Sequence, residues 1–131
     1  MTSQHIISRI AIYLLSVVMI AFGIYHFLHP HNLLVFVPSN IPGGINWVYI
    51  VGAAFILAAL AFITNKGVKI AAYMLAAMLL IFVITIHLPN FRQAGDDELR
   101  QGALINMLKD TALAAFALHI AGSADSHGMK Y

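Results

Sequence analysis

Two ionisable residues lie inside an otherwise apolar segment in the last third of this chain. Lys109 and Asp110 follow Asn106 within the segment from about residue 103 to residue 121. An ionisable side chain at the centre of a membrane span costs about 2.5–3.5 kcal/mol on insertion scales, so such residues usually serve a function. Residues at positions i, i+3 and i+4 share one face of a helix. The spacing therefore predicts that the three side chains face the interior of a helix bundle together.

Five more polar residues lie at the ends of three other apolar segments and reach a similar depth, the outer third of the membrane. They are His26 in the first segment, Asn46 and Tyr49 in the second, and His87 and Asn90 in the third. Histidine exchanges protons near neutral pH, and burial changes the proton affinity of carboxyl groups. The eight residues together predict a site for a quinone-like or other small amphipathic ligand. In it the histidines bond the ring carbonyls, Asp110 relays protons, and Tyr49 or Phe27 stacks on the ring.

Each of these residues also has a purely structural explanation. A histidine near a helix end, or Lys109, can extend its polar end to the membrane interface. Asp110 can pair with His87 or Lys109 merely to hold the bundle together. His26 and His87 could in principle ligate haem axially, but one pair at the membrane edge of so small a chain is a poor haem site. We therefore expect neither haem nor another metal, and whether the chain catalyses a reaction stays open.

The composition places these residues in a membrane protein. Of the 131 residues, 61% are hydrophobic and 9% are charged, whereas an ordinary soluble domain carries about 25% charged residues. Residues 10–28, 45–64 and 70–86 contain no Asp, Glu, Lys or Arg, and about 20 apolar residues cross a bilayer as a helix. A net charge of only +2 argues against nucleic acid as a partner, and the lack of cysteine excludes thiol chemistry. The expected partner is the lipid bilayer.

The predicted fold is all-α and integral to the membrane, an antiparallel up-and-down bundle of four transmembrane helices in one domain over residues 1–131. The predicted helices cover residues 8–28, 46–64, 69–88 and 103–121. Pro30 and Pro89 are expected to end the first and third helices. A short apolar run at residues 33–37, bracketed by Pro30, Pro38 and Pro42, is too short to span and should form an interfacial loop. A lid folded back over the bundle also fits this pattern.

The basic residues predict the orientation of the four spans. Both termini and the turn at residues 65–69 share one face, which carries Arg9, Lys66, Lys69 and Lys130. The opposite face carries Arg92 and Arg100 beside three acidic residues. Since cytoplasmic loops are enriched in Lys and Arg, the N- and C-termini are expected to be cytoplasmic.

Three short motifs resemble the DoxX family of small four-helix membrane proteins. They are Gly23-Ile24-Tyr25-His26-Phe27 with Pro30, Tyr49-Ile50-Val51-Gly52, and His87-Leu88-Pro89-Asn90-Phe91. The resemblance covers about residues 8–121 and implies a compact bundle in the bacterial inner membrane. It also implies a link to quinone-dependent sulfur oxidation or to redox-protective membrane complexes, while distant eukaryotic relatives act as assembly chaperones. By position it carries over to His26, His87, Pro89 and Asn90.

Two functions are therefore expected as alternatives. The first is a redox-associated subunit that binds a quinone-like ligand at the polar cluster and, lacking an electron carrier of its own, needs a soluble or membrane redox partner. The second is a non-enzymatic scaffold or assembly chaperone that packs on other membrane helices through small residues at positions 52–54 and 71–72. In that case the polar cluster is structural. A homodimer fits either function, and transport is disfavoured because the inner half has no continuous polar path.

Overall fold

All regular structure in the described part of the chain is helical. The computed structural model describes residues 3–37, 39 and 41–124, so Pro38 and Lys130 lie outside the described residues. The elements are α1 (Ser3–Leu28), α2 (Pro30–Leu34), α3 (Ile45–Thr64), α4 (Val68–Phe82), a π-helical turn (Val83–His87), α5 (Leu88–Gln93) and α6 (Asp97–Gly122). Among the described residues, four stretches are long and apolar enough to cross a bilayer: His5–Leu28, Ile45–Thr64, Val68–Gln93 and Asp97–Gly122. The prediction of an all-helical protein with four helices long and apolar enough to span a membrane is confirmed.

Large apolar side chains cover the outside of these helices. Leu14, Ile50, Leu57, Ile70 and Ile105 are each more than half exposed. Soluble monomers rarely expose contiguous apolar patches larger than a few hundred Å². The environment that suits this surface is the hydrocarbon of a lipid bilayer, as expected of a multi-pass membrane protein.

The bundle is densely packed at the end where α3 turns into α4, which we call the turn end. α1 packs mainly on α3, α4 mainly on α6, and the two pairs meet through α3 and α4. Small side chains such as Ala59, Ala72 and Ala117 are fully buried between them, which lets the helix backbones approach closely. The turn itself has left-handed backbone at Asn65 and Gly67, as predicted for a tight connection with glycine.

Two glycines form the closest crossing between α1 and α3. A Cβ atom added at Gly23 would lie 2.8 Å from the carbonyl oxygen of Gly52, and one added at Gly52 would lie 2.7 Å from Cβ of His26. Neither helix has room for a side chain at this point. The crossing therefore fixes where α1 presents His26.

We expect Gly52→Ala to lower the free energy of unfolding by about 1–2 kcal/mol, because the new methyl group forces α1 away from α3. Gly102→Ala is the matched control, since a Cβ atom there meets nothing within 4 Å and alanine favours the helix. Reversible unfolding in mixed detergent micelles, followed by circular dichroism, measures both. Equal stability of the two variants would contradict the close crossing.

The third spanning helix does not end before Pro89 as predicted. The helix continues through Leu88–Gln93 because the π turn at Val83–His87, directly before it, accommodates the proline. Pro89 has no N–H to donate to the carbonyl of Thr85, and the preceding Leu88 N–H instead bonds to Val83 O, five residues back. The wider turn leaves room for the proline ring without ending the helix.

The fourth helix begins at Asp97 rather than near residue 103, so the connection predicted between residues 88 and 103 shrinks to three residues between α5 and α6. Asp96 caps the helix by accepting a hydrogen bond from the Leu99 N–H, 2.8 Å from its Oδ1. Asp97 and Glu98 follow in the first turn, where negative charge is favourable beside the helix N-terminus. The three acidic residues, which precede the predicted helix, therefore mark the start of the observed one.

The connection between α1 and α3, predicted to be an interfacial loop, contains a short helix despite its prolines. Pro30 occupies the first position of the short helix α2, where its missing N–H has no intrahelical partner to lose. Leu33 and Leu34 belong to this helix. The apolar run at residues 33–37 therefore starts in α2 and continues in the following turn.

Candidate functional site

A cavity of about 790 Å³ opens at the end of the bundle opposite the turn end, which we call the loop end. It lies between α1, α3, the π turn and α6, and described residues of the α1–α3 connection contribute to its wall. Pockets for small molecules usually measure about 300–1,000 Å³, so the space suits a ligand with a ring system. Its polar wall consists of His26, Thr85, His87, Asn106, Lys109 and Asp110.

A histidine–aspartate pair joins the third and fourth spanning helices at this wall. His87 Nε2 lies 2.7 Å from Asp110 Oδ2, and both side chains are buried. The π turn ends at His87, and such turns inside helices are frequent at functional sites. One of the structural explanations offered for Asp110, a partnership with His87, is thus present in the molecule.

The second ring nitrogen of His87 is left without a partner. Nδ1 is buried and forms no hydrogen bond within the described residues. A buried polar atom without a partner costs about 1–3 kcal/mol, and such atoms usually mark a site for water or a ligand. His87 lines the cavity, so a bound molecule could supply the missing hydrogen bond after a shift of the side chains that cover Nδ1.

His26 presents a ring nitrogen from the opposite wall. Its Nδ1 lies 2.6 Å from the carbonyl oxygen of Phe22, and a carbonyl can only accept, so Nδ1 donates. In the neutral ring this leaves Nε2 as an acceptor, and no described residue bonds to it. The ring also packs against Phe55, with 5.5 Å between centroids. His26 is therefore held in one orientation by its backbone bond and its aromatic neighbour.

Lys109 and Asn106 complete the polar wall on α6. Lys109 Nζ lies 5.2 Å from the centre of the Phe22 ring on α1, a distance suited to a cation–π contact. Asn106, one turn earlier, also lines the cavity. The predicted common face of Asn106, Lys109 and Asp110 is thus the face that α6 turns toward the cavity.

Aromatic side chains form much of the remaining wall. Phe22 and Phe55 lie with their ring centroids 5.9 Å apart, and Phe36 reaches the cavity from the α1–α3 connection. Trp47 lines the cavity as well, and its Nε1 donates a 2.7 Å hydrogen bond to Pro42 O. This bond ties the start of α3 to the connection that precedes it.

Of the eight residues predicted for the site, the structure brings five together and leaves three outside. His26, His87, Asn106, Lys109 and Asp110 line the cavity. Asn46, Tyr49 and Asn90 are exposed and do not line it. Tyr49 and Phe27 stack on each other, with centroids 5.7 Å apart, so neither is placed to stack on a ligand. Their positions along the helices follow from the sequence, whereas their direction around the helix axes depends on how the helices pack.

The aromatic wall and the π turn were missed. Phe22 precedes His26 by one helical turn, and Val48, Val51 and Phe55 follow one another at helical spacing along the cavity face of α3. This apolar spacing beside a polar residue was the signal available in the sequence. Among the described residues no group of three or more His, Cys, Asp or Glu side chains could hold a metal ion.

A family model described as "Domain of unknown function (DUF8561)" matches residues 15–121. All residues that line the cavity fall inside this range. No curated protein and no solved structure matches the chain.

Proposed function

Given that the chain belongs to the DUF8561 family, a domain of unknown function, we propose a function from its cavity. The protein binds a quinone-like or other small amphipathic ring compound there and serves as a subunit of a membrane redox system. The observation that carries the proposal is the placement of three proton-exchanging side chains around one aromatic cavity of about 790 Å³. His26 stands on one wall, and the His87–Asp110 pair stands on the other.

The free ring nitrogens suit the oxygens of such a ring. In the neutral imidazoles they accept from the hydroxyl groups of the hydroquinone, and in the protonated imidazoles they donate to the carbonyl oxygens of the quinone. His26 Nε2 and His87 Nδ1 both lack partners in the described residues. Reduction of a quinone to a hydroquinone takes up two electrons and two protons. In this proposal the histidines exchange the protons, and Asp110 holds the His87 ring in place and stabilises its charged form. The electrons come from a soluble or membrane-bound redox partner protein, because the residues present carry protons only.

In the proposed membrane arrangement the four spans form an antiparallel up-and-down bundle. Contacts between α1 and α3 run in opposite order along the two helices, from Gly23 beside Ile56 to Phe27 beside Tyr49, which supports this arrangement. The positive-inside rule favours cytoplasmic termini, and the α1–α3 connection would then lie at the outer interface. The resemblance to the DoxX family supports a bacterial inner membrane, and a homodimer is compatible with it.

Extraction of the purified protein tests the proposal. Organic extracts analysed by mass spectrometry are expected to contain a quinone or related ring compound in proportion to the protein. A quinone added to ligand-depleted protein should raise its Tm, because a ligand that binds only the folded state stabilises it. Extracts free of such a compound, together with an unchanged Tm, would contradict the proposal.

The scaffold or assembly chaperone is the second candidate, since the His87–Asp110 bond links two helices and could serve packing alone. Two of the small residues suggested for docking other proteins, Gly52 and Ala72, are buried inside the bundle. They already pack against its own helices. This observation favours the ligand-binding candidate.

A further inference from the structure

The cavity contains two charged side chains, and only one of them has a partner. Asp110 is bonded to His87. Within the described part of the chain, no carboxylate lies within ion-pair distance of Lys109 Nζ, and the ion pairs found there join His87 to Asp110 and Arg100 to Asp97. An ammonium group inside a membrane span without a counter-charge is unfavourable. A negatively charged oxygen from outside the bundle, on a bound ligand or on a lipid headgroup, would neutralise it.

Lys109 is an exposed residue whose ammonium group lies against the cavity wall. Lys109 Nζ lies over the Phe22 ring on the facing helix, so the side chain crosses from α6 toward α1 along the cavity. Phe22 itself lines the cavity and touches the Phe55 ring. A flat ring bound beside Phe22 and Phe55 would therefore have Lys109 at its edge.

We infer that the ligand of this cavity carries an ionised acidic oxygen, for which Lys109 is the counter-charge. The inference rests on the proposed function and narrows its ligand class to ring compounds with an ionised hydroxyl or carboxyl group. Two other cavity groups fit the same class, since Asn106 can donate a hydrogen bond and the one carboxylate of the lining, Asp110, is already bonded. His26 Nε2 can also donate to an anionic oxygen when its ring is protonated. An anionic oxygen could also come from a phospholipid headgroup, and the experiment separates the two sources.

The test compares two naphthoquinone probes that differ in charge. One carries a hydroxyl group that is ionised at neutral pH, and the other is its uncharged methyl ether. The protein is placed in phosphatidylcholine vesicles, and quenching of Trp47 is measured after correction for probe absorption. We expect the ionised probe to bind about fivefold more tightly to the wild-type protein than to Lys109→Met. This ratio corresponds to the interaction energy of a partly exposed ion pair. The ether should bind both proteins within twofold.

Two further variants serve as controls. Lys109→Arg keeps the charge and should retain the preference for the ionised probe. Lys66→Met removes an exposed lysine at the turn end and should leave both affinities unchanged. Equal binding of the ionised probe to the wild-type protein and to Lys109→Met would overturn the inference. Quenching by the ether alone would overturn it as well but leave the proposed function intact, whereas quenching by neither probe would refute both.

A second vesicle composition identifies the source of the anion. Anionic phosphatidylglycerol repels the ionised probe equally from vesicles that carry either protein. The quantity compared between the two lipid compositions is therefore the ratio of the wild-type affinity to the Lys109→Met affinity. A ratio near five in both compositions assigns the anion to the ring ligand. A ratio that falls to one when phosphatidylglycerol is present would show that a lipid headgroup occupies Lys109 and would overturn the inference.

Discussion

His87→Ala should lower the free energy of unfolding by about 3–5 kcal/mol, since it leaves the buried carboxylate of Asp110 without a partner. The two side chains, 23 residues apart in sequence, join the third and fourth spanning helices through a 2.7 Å hydrogen bond. No other described side chain is bonded to Asp110. Reversible unfolding in mixed micelles, followed by circular dichroism and Trp47 fluorescence, measures the loss.

A double-mutant cycle separates the pair from the effect of each side chain. Asp110→Ala alone should cost less, about 1–3 kcal/mol, because it leaves an imidazole nitrogen unpaired rather than a buried carboxylate. The double variant should be clearly more stable than the sum of the two losses predicts. Asn90→Ala, an exposed residue outside the cavity, should change stability by less than about 0.5 kcal/mol. Losses that add within about 0.5 kcal/mol would show that the pair does not interact.

Most of the fold could be predicted because membrane spans are defined by an absence of charge. The runs at residues 10–28, 45–64 and 70–86 contain no charged residue, and each became part of a spanning helix. The helix ends were harder to predict. Pro89 was expected to stop a helix, but the π turn lets the helix continue, and the acidic residues after residue 95 start α6 rather than extend a loop.

The candidate site was predictable along the membrane normal and much less so around the helix axes. Asn106, Lys109 and Asp110 were grouped correctly because helical spacing alone places them on one face. Tyr49 stacks on Phe27, the neighbour of His26, and Asn90 follows His87 by three residues. Both side chains are nevertheless exposed and do not line the cavity. Which faces meet depends on how the helices pack, and here the contact of Gly23 with Gly52 decides it for α1 and α3. Nothing in the sequence around either glycine indicates which residue it contacts.

His26→Phe should weaken binding of a quinone by about thirtyfold while the protein stays folded. Phenylalanine keeps a flat ring against Phe55 but removes Nε2, which donates to a quinone oxygen when the imidazole is protonated, so that oxygen would lose its partner. An unsatisfied buried polar group costs about 1–3 kcal/mol, and a loss of about 2 kcal/mol corresponds to about thirtyfold in affinity. Titration of ligand-depleted protein in vesicles measures the change.

Tyr49→Phe is the control for this substitution. Tyr49 stacks on Phe27 and does not line the cavity, so the variant should bind quinone within twofold of the wild-type protein. Stability of both variants is compared by their Tm without ligand. A His26→Phe protein that is folded and binds as tightly as wild type would remove His26 from the site. If His26→Phe is largely unfolded but its folded fraction binds quinone with unchanged affinity, the result would favour the scaffold or assembly chaperone function.

The central claim is that the cavity at the loop end binds a ring compound, and Trp47 reports on it directly. It is the one tryptophan of the chain, and it lines the cavity. Titrating the protein in phosphatidylcholine vesicles with a quinone is predicted to quench its fluorescence saturably, at one quinone per chain, with weaker binding to His26→Phe. Quenching that rises in proportion to the quinone content of the membrane and is the same in His26→Phe would contradict the account.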